Sequence, residues 1–423
     1  MKKKAAVLGL LVAGLVGTAS AQEGPTPKGI PHLDHVFVIM MENHSYSQIV
    51  NNPNAPFANH YAKSGNVAKN YFAIAHPSLT NYLEVVGGSN FGVQTDNNPD
   101  WHNSICTTNL ASGTVATDNP SSPNVCPIWG TGTDAATPVI DLTNETTPPS
   151  ITSVTNIDGI LSIPKNPHTV GKTIGDQLAA FNLGWKSYQE SLPPTGADGV
   201  NFADGFFTDI SAITTVLPGE AQSLIKLYAA KHNPFVYFRS VQEGQDPDNS
   251  LKNVVGFEGA HGLFDDLSSG HVPALSFIAP NQCNDQHGRG NAGPGCDFDP
   301  NDNGTQTGLN PALIYIGDAT ARTLVNAIHN SPAWQEGNSA IVLLWDENDY
   351  SATPDTNQVL VIVDTNYGVH GVQSGQFYTH FSLLKSLEAG FGIPCLNHAC
   401  DLNVKVMSDL FATADHGHHD NGR

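Results

Sequence analysis

A chain of 423 residues is long enough for one large α/β core carrying insertions, or for two domains. Charged side chains make up only 13% of it, yet 39 acidic residues against 18 Lys and Arg leave a formal net charge of −21. That balance argues against a nucleic-acid groove lined by clustered cations, so any phosphate-bearing ligand has to be attracted locally, by a metal ion and by backbone N–H groups.

The chain opens with Met1-Lys2-Lys3-Lys4, an apolar run from Ala5 to Gly17, and Thr18-Ala19-Ser20-Ala21. A basic head, a short apolar stretch and a small-residue site describe a secretory signal peptide over residues 1–21, with a mature chain beginning near Gln22 in a secreted or periplasmic location. No later stretch reaches about 18 uninterrupted apolar residues, so no stable membrane insertion is expected. The six cysteines fall into three local pairs, Cys106 with Cys126, Cys283 with Cys296, and Cys395 with Cys400. In an oxidising compartment this favours three loop-closing disulfides over a zinc site, although six cysteines permit about 15 connectivities.

His35 to Met41 is an apolar run without alternation, as in a strand buried on both faces of a parallel sheet. It runs directly into Glu42-Asn43, where the carboxyl end of such a strand carries chemistry. The same residues also read as a helix start, with Asn43 and Ser45 as caps. Pro56 to Gly65 reads as a helix and Asn66 to Ala73 as a strand. His76-Pro77-Ser78 then leads into an apolar pattern at Leu79, Tyr82, Leu83 and Val86 that suits a helix starting near Ser78. A hydroxyl there is aimed by the helix N-terminus, although taken alone Ser78 also reads as an ordinary N-cap.

Residues 89–168 are rich in Asn, Thr, Ser, Pro and Gly and read as a loop-rich insertion or cap. Expected next are a helix from Thr169 to Asn182, a strand from Gly184 to Tyr188, a helix around Glu220 to His232, and a strand from Phe235 to Phe238. A helix from His261 to Ser269 precedes the strand Ala274 to Ala279, whose end meets Asn281 and a polar loop with Asp285, Gln286 and His287. The helix Tyr315 to Asn330 precedes a third fully apolar strand, Ala340 to Trp345, ending in Asp346-Glu347. A strand over Gln358 to Asp364 and a helix over Phe377 to Phe391 complete one domain spanning 22–412, and the His-rich residues 413–423 read as a disordered tail. Three apolar strands ending in acidic and amide residues place a cluster of oxygen ligands at one sheet edge, and carboxylates gathered there repel one another unless a cation joins them.

With these motifs in place, the sequence resembles the bacterial phosphoesterase family of secreted acid phosphatases and phospholipases C, within the alkaline phosphatase-like superfamily. Three stretches carry the resemblance: Met41-Glu42-Asn43-His44-Ser45-Tyr46, His76-Pro77-Ser78-Leu79-Thr80-Asn81-Tyr82 and Trp345-Asp346-Glu347-Asn348-Asp349. Gly317-Asp318-Ala319 and the segment around His380 support it. The implied fold is a three-layer α/β arrangement, with a mostly parallel central sheet covered by helices on both faces and a loop-rich insertion.

The resemblance implies that Ser78 is a nucleophile carrying a phosphoryl group, with His76 and His287 contacting the phosphate or protonating the leaving oxygen. It implies Asn81, Asp285 and His370 as substrate contacts, and Glu42, Asn43, Asp346 and Glu347 as holders of a divalent metal. An all-oxygen set favours Ca, Mg or Mn over Zn. Two departures stand out: Thr80 where the family often has Pro, and His44 where it often has Arg, which removes a fixed positive charge. The expected activity is hydrolysis of small phosphomonoesters. A phospholipase C acting on phosphatidylcholine-type diesters is the alternative, and an exported binding protein without catalysis is the alternative of another class.

Overall fold

A computed structural model describes residues 23–93, 95–99, 125–132, 169–193, 200–201, 227–289, 292–297, 310–348 and 357–413. The expected signal peptide, most of the 89–168 insertion, most of the 220–232 helix and the tail beyond residue 413 lie outside the described residues.

The core is an eight-stranded sheet in the order β11-β2-β10-β9-β1-β8-β6-β7. Its strands are β1 (His35–Met41), β2 (Asn66–Ala68), β6 (Trp185–Gln189), β7 (Val254–Gly256), β8 (Leu275–Ala279), β9 (Ser339–Trp345), β10 (Val361–Thr365) and β11 (Gln373–Ser374). All run parallel except β10, which is antiparallel to both its neighbours, β9 and β2. Every residue of β8 and β9 is buried, and so is every residue of β1 after His35. This is the burial that apolar runs without alternation demand, since each large side chain removed from water contributes roughly 1.5–3 kcal/mol.

Two groups of helices flank the sheet. One contains α2 (Pro56–Ser64) and the helices 263–269, 311–329 and 332–335, which pack on one another; the other contains α3 (Ser78–Gly87) and the helices 174–180 and 380–391. The first group is tied by Asp318, whose carboxylate accepts the Phe57 and Ala58 amides at 2.8 and 2.7 Å and so caps the first turn of α2.

Four elements depart from the sequence expectation. Phe235 to Phe238 is not a strand: Pro234–Tyr237 is a 3₁₀ turn, because Pro234 sets a helical φ at its first residue, and Phe238 makes an isolated β-bridge to Ile128. The helix expected from Thr169 starts at Ile174, where Thr173 and Asp176 form a capping box, and Thr169–Val170 instead pairs with Thr131–Gly132. The strand expected over 66–73 breaks into Asn66–Ala68 and β3, Tyr71–Phe72, which pairs with Tyr378–Thr379 in a separate two-stranded ribbon. That pairing delays the last helix to His380. Cys283–Cys296 and Cys395–Cys400 are disulfides, and Cys126 is also disulfide-bonded.

Glu388, on the helix 380–391, is fully buried. Its Oε1 accepts the Leu396 amide at 2.7 Å, while its Oε2 makes no hydrogen bond. Burial therefore holds this carboxyl well above the usual range, with the amide and Lys385 opposing only in part. A raised folded-state value contributes stability below the ordinary carboxyl range and loses it as pH rises through the raised value. Glu388→Gln should therefore melt increasingly higher than the parent as pH goes from 5 to 8. Parallel melting curves at all pH values would show the group does not titrate on unfolding.

Candidate active site

The register of β1 against β9 pairs Met41 with Trp345, so Glu42 and Asp346 leave adjacent strands side by side. The crossing is fastened by backbone bonds: Asp346 N–H donates to Met41 O at 2.9 Å, and Glu42 N–H donates to Asp285 O at 2.8 Å, on the loop after β8. Asp346 Oδ1 accepts the amides of Asn43 at 3.1 Å and Glu347 at 2.7 Å. Asn43 takes a left-handed backbone at φ 53°, which turns the chain sharply beside the carboxylates.

Ser78 is the first residue of α3 rather than its cap, which is Pro77. The Ser78 hydroxyl lies 3.0 Å from Glu42 Oε2 and 3.3 Å from Glu347 Oε1, and having one proton it donates to one of them at a time. One turn on, Asn81 is held rigidly. Its Oδ1 accepts the Ile74 and Ala75 amides, each at 3.1 Å, and its Nδ2 donates to Glu347 Oε2 at 2.9 Å. Tyr82 donates to Glu42 Oε1 at 2.6 Å. His76 bridges Glu347 Oε2 and Asn348 Oδ1, both at 2.9 Å. Thr80 closes onto Pro77 O at 2.6 Å, so the departure from Pro leaves the turn intact.

Sequence reasoning missed His232, Lys231 and Asp96. The His232 ring stacks on Tyr82, with centroids 5.3 Å apart, and sets its nitrogens 3.1 Å from Glu42 Oε1 and 3.1 Å from Asp285 Oδ2. Ring nitrogens of His232 and His287 lie within 4.8 Å of each other and of a Glu42 oxygen. Lys231 Nζ meets Asp96 Oδ2 at 2.8 Å and His287 Nε2 at 2.9 Å, and Asp96 Oδ1 accepts the Leu79 amide of α3 at 3.0 Å. No motif marks these residues; they arrive from two segments, 135 residues apart, that only the tertiary fold brings together.

The structure thus brings Glu42, Asn43, His76, Ser78, Asn81, Asp285, His287, Asp346 and Glu347 to one edge. It does not bring His370 there. That imidazole is half exposed, 3.7 Å from Asp364 Oδ1, and Asp364 pairs with Ile341 near the start of β9. Four residues of strand separate Ile341 from Trp345, roughly 13 Å at about 3.3 Å per residue. A polar loop containing histidine offers no sequence sign of which sheet edge it serves.

Electrostatics decide what the edge can hold. Burial, and then the charge of Asp346, push the Glu42 carboxyl well above its usual range; burial, and then Glu347, do the same to Asp346; burial, and then Glu42, raise Asp285. Asp346 Oδ2 is buried and makes no hydrogen bond. Glu42 and Glu347 converging on one hydroxyl, with an orphaned oxygen of Asp346 beside them, fit a divalent cation, which Glu42, Asp346 and Glu347 would hold with Asn43 adjacent.

Compared with known proteins, residues 50–297 match the phosphoesterase family, more than half of the chain, and the chain belongs to that family. It is 24% identical over 370 residues to an acid phosphatase of Aspergillus fumigatus, covering 87% of this chain and 57% of that protein. It is likewise 24% identical over 414 residues to a phosphatidylinositol-3-phosphatase of Mycobacterium tuberculosis, covering 96% of this chain and 93% of that protein. The chain therefore spans little more than half the length of the fungal relative. A solved protein of the alkaline phosphatase superfamily from Vibrio parahaemolyticus aligns with 90% of this chain and 72% of its own at 10% identity, with a TM-score of 0.45. The family expectation holds without its bacterial restriction.

The polar loop is buttressed from below. Gln286 accepts from Trp345 Nε1 at 2.8 Å and donates to Ile314 O at 2.9 Å, and a Cβ at Gly317 would lie 2.2 Å from its Cγ. Pinned at both ends, Gln286 cannot yield. Gly317→Ala should cost roughly 1–3 kcal/mol of stability through overpacking and lower activity by shifting Asp285 and His287. Unchanged denaturant midpoint and turnover would show that this buttress is dispensable.

Chelation should lower the melting temperature at neutral pH, and re-added divalent cation should restore it, since a ligand of the folded state stabilises it by mass action. Identical melts with and without chelator would exclude a cation site here.

Proposed function

We propose that this chain is an exported, metal-dependent phosphomonoesterase of the acid phosphatase kind, working through a phosphoserine on Ser78. One observation carries the reading: a buried serine hydroxyl at the start of a ten-residue helix points at Glu42 and Glu347, within a cluster of buried carboxylates. Both relatives described above are named as phosphatases, which favours monoesters over the diester chemistry of a phospholipase C. The pattern of residues 1–21 and the disulfides support export.

When bound, a divalent cation supplies the positive charge that a serine alkoxide and a dianionic phosphate both need. The protein's own groups do the positioning. Glu42 and Glu347 orient the Ser78 hydroxyl and draw on its proton, while Asn81, fixed by three backbone contacts, holds Glu347 from the other side. In the first half-reaction the Ser78 Oγ–P bond forms and the ester P–O bond breaks, its oxygen leaving with a proton. In the second, water attacks phosphorus, the Oγ–P bond breaks and Ser78 regains its proton. His76 and His232, each bridging two oxygen-bearing side chains, set the carboxylates Glu347, Glu42 and Asp285.

The mixed surroundings bear on the metal. Carboxylate oxygens favour Mg, Ca or Mn, while His232 at 3.1 Å from Glu42 Oε1 adds an imidazole that borderline ions such as Zn accept. Elemental analysis of protein purified without added metal distinguishes them.

Ser78→Ala should lose at least about four orders of magnitude in kcat on an aryl phosphate while keeping its fold by thermal melt, because removing the nucleophile removes the covalent route. Ser78→Thr, which keeps a hydroxyl, should retain part of the activity. Near-parental turnover by folded Ser78→Ala would replace the phosphoserine with direct attack by water. Parallel assays on an aryl phosphate, a bis-aryl phosphodiester and phosphatidylcholine should give fastest turnover on the monoester; fastest turnover on either diester would reverse the assignment.

A further inference from the structure

The acidic chain must still attract a phosphate dianion, and the helix N-terminus expected to do so is already partly engaged. Leu79 N–H donates to Asp96 Oδ1 at 3.0 Å and Thr80 N–H to Pro77 O at 3.1 Å. His44, at the position where the family often has arginine, is fully buried with its Nδ1 2.9 Å from Glu42 O. Among the described residues, Lys231 brings a cation to the site. It lies one residue before His232, which touches Glu42, and its ammonium sits 2.9 Å from His287 Nε2 and 2.8 Å from Asp96 Oδ2.

Resting on the phosphomonoesterase reading, we infer that Lys231 is the phosphate-binding cation of this site, and that Asp96 holds the phosphate's place in the unliganded enzyme. The geometry gives Asp96 the part of an internal anion. One carboxylate oxygen takes the amide of the residue after the nucleophile, the other takes the Lys231 ammonium, and a phosphate bound to Ser78 would offer its oxygens to the same two donors. His287 is then a positioning residue. Its Nδ1 lies 2.8 Å from Gly288 O and its amide donates to Asp285 Oδ1 at 2.7 Å, leaving Nε2 to receive the Lys231 ammonium and aim it. Lys231 and Asp96 are only 11% and 21% exposed, so exchanging Asp96 for phosphate swaps one shielded anion for another and leaves no buried ammonium unpaired.

This assignment makes opposite predictions for the two partners of a single ion pair, which a merely structural bridge does not. Inorganic phosphate binding to the metal-loaded enzyme is measured by calorimetry, alongside kcat, KM and product inhibition on an aryl phosphate. Lys231→Met should weaken phosphate binding by roughly 10- to 100-fold, as expected for loss of a charge-assisted hydrogen bond, and raise KM. Lys231→Arg should recover most of it. Asp96→Asn, which removes the competing charge, should bind phosphate more tightly than the parent. If Lys231→Met binds phosphate as the parent does, or if Asp96→Asn weakens binding as much as Lys231→Met, the assignment is wrong and the pair is a structural tie. Should Lys231→Met fail to fold, the Arg and Asn variants still decide the matter by the same signs. A parent enzyme that hydrolyses aryl phosphate through Ser78 while Lys231→Met binds phosphate normally would sink this inference alone. A parent that neither turns over the ester nor binds phosphate would sink it together with the reading beneath it.

Discussion

The parallel pairing of β1 with β9 sets Glu42 against Asp346, and the rest of the carboxyl edge is arranged around keeping those two buried groups together. Neither strand can slide to separate them. Each is apolar along nearly its whole length and buried on both faces, so a shift of one residue would force every side chain into the opposite packed layer, at roughly 1–3 kcal/mol for each misfit. The repulsion is therefore held by the core, and burial has raised the carboxyls of Glu42, Asp346 and Asp285. Such a site costs the fold stability, and the proposed cation would relieve that repulsion.

The residues that carry strand ends were legible because burial on two faces writes itself into sequence as unbroken apolar runs. His35 to Met41, Ala274 to Ala279 and Ala340 to Trp345 are three such runs, and the structure lays them side by side as β1, β8 and β9. What lies past each run was legible for the same reason. Lys231, His232 and Asp96 were not, because each acts across a long sequence separation: Lys231 meets Asp96 over 135 residues. Phe235 to Phe238 shows the complementary failure. A short apolar run fits a buried strand or a buried turn equally well, and Pro234 settled it locally in favour of the turn. His370 failed for want of a strand end to place it.

Gly317-Asp318 supports the candidate site without touching it. Asp318 caps α2 through two amides, and Gly317 leaves room for Gln286, which Trp345 and Ile314 hold in place. The pair thus sets the distance between the helix 311–329 and the loop that carries Asp285 and His287. The Cys283–Cys296 disulfide closes that same loop from its other side. Precision at the edge comes from such fastenings, since a loop held only by its own residues would move under the charges it carries.

Two further histidines explain how the strand ends stay fixed without upsetting this charge balance. His44 Nδ1 lies 2.9 Å from Glu42 O, and His380 Nε2 lies 2.6 Å from Asp346 O, so each carboxylate-bearing residue has its own carbonyl gripped by an imidazole. Both rings are fully buried and pushed down to about 4 by that burial, which makes them neutral at physiological pH. A neutral imidazole can grip a carbonyl only by donating, so the proton of His44 is on Nδ1 and that of His380 on Nε2, leaving His380 Nδ1 to accept from Tyr71 at 3.0 Å. Lysine or arginine at either place would bring a fixed charge as well as the hydrogen bond. Histidine kept neutral by burial supplies the hydrogen bond and withholds the charge, in keeping with the cation proposed at the carboxylates and the phosphate contact proposed at Lys231.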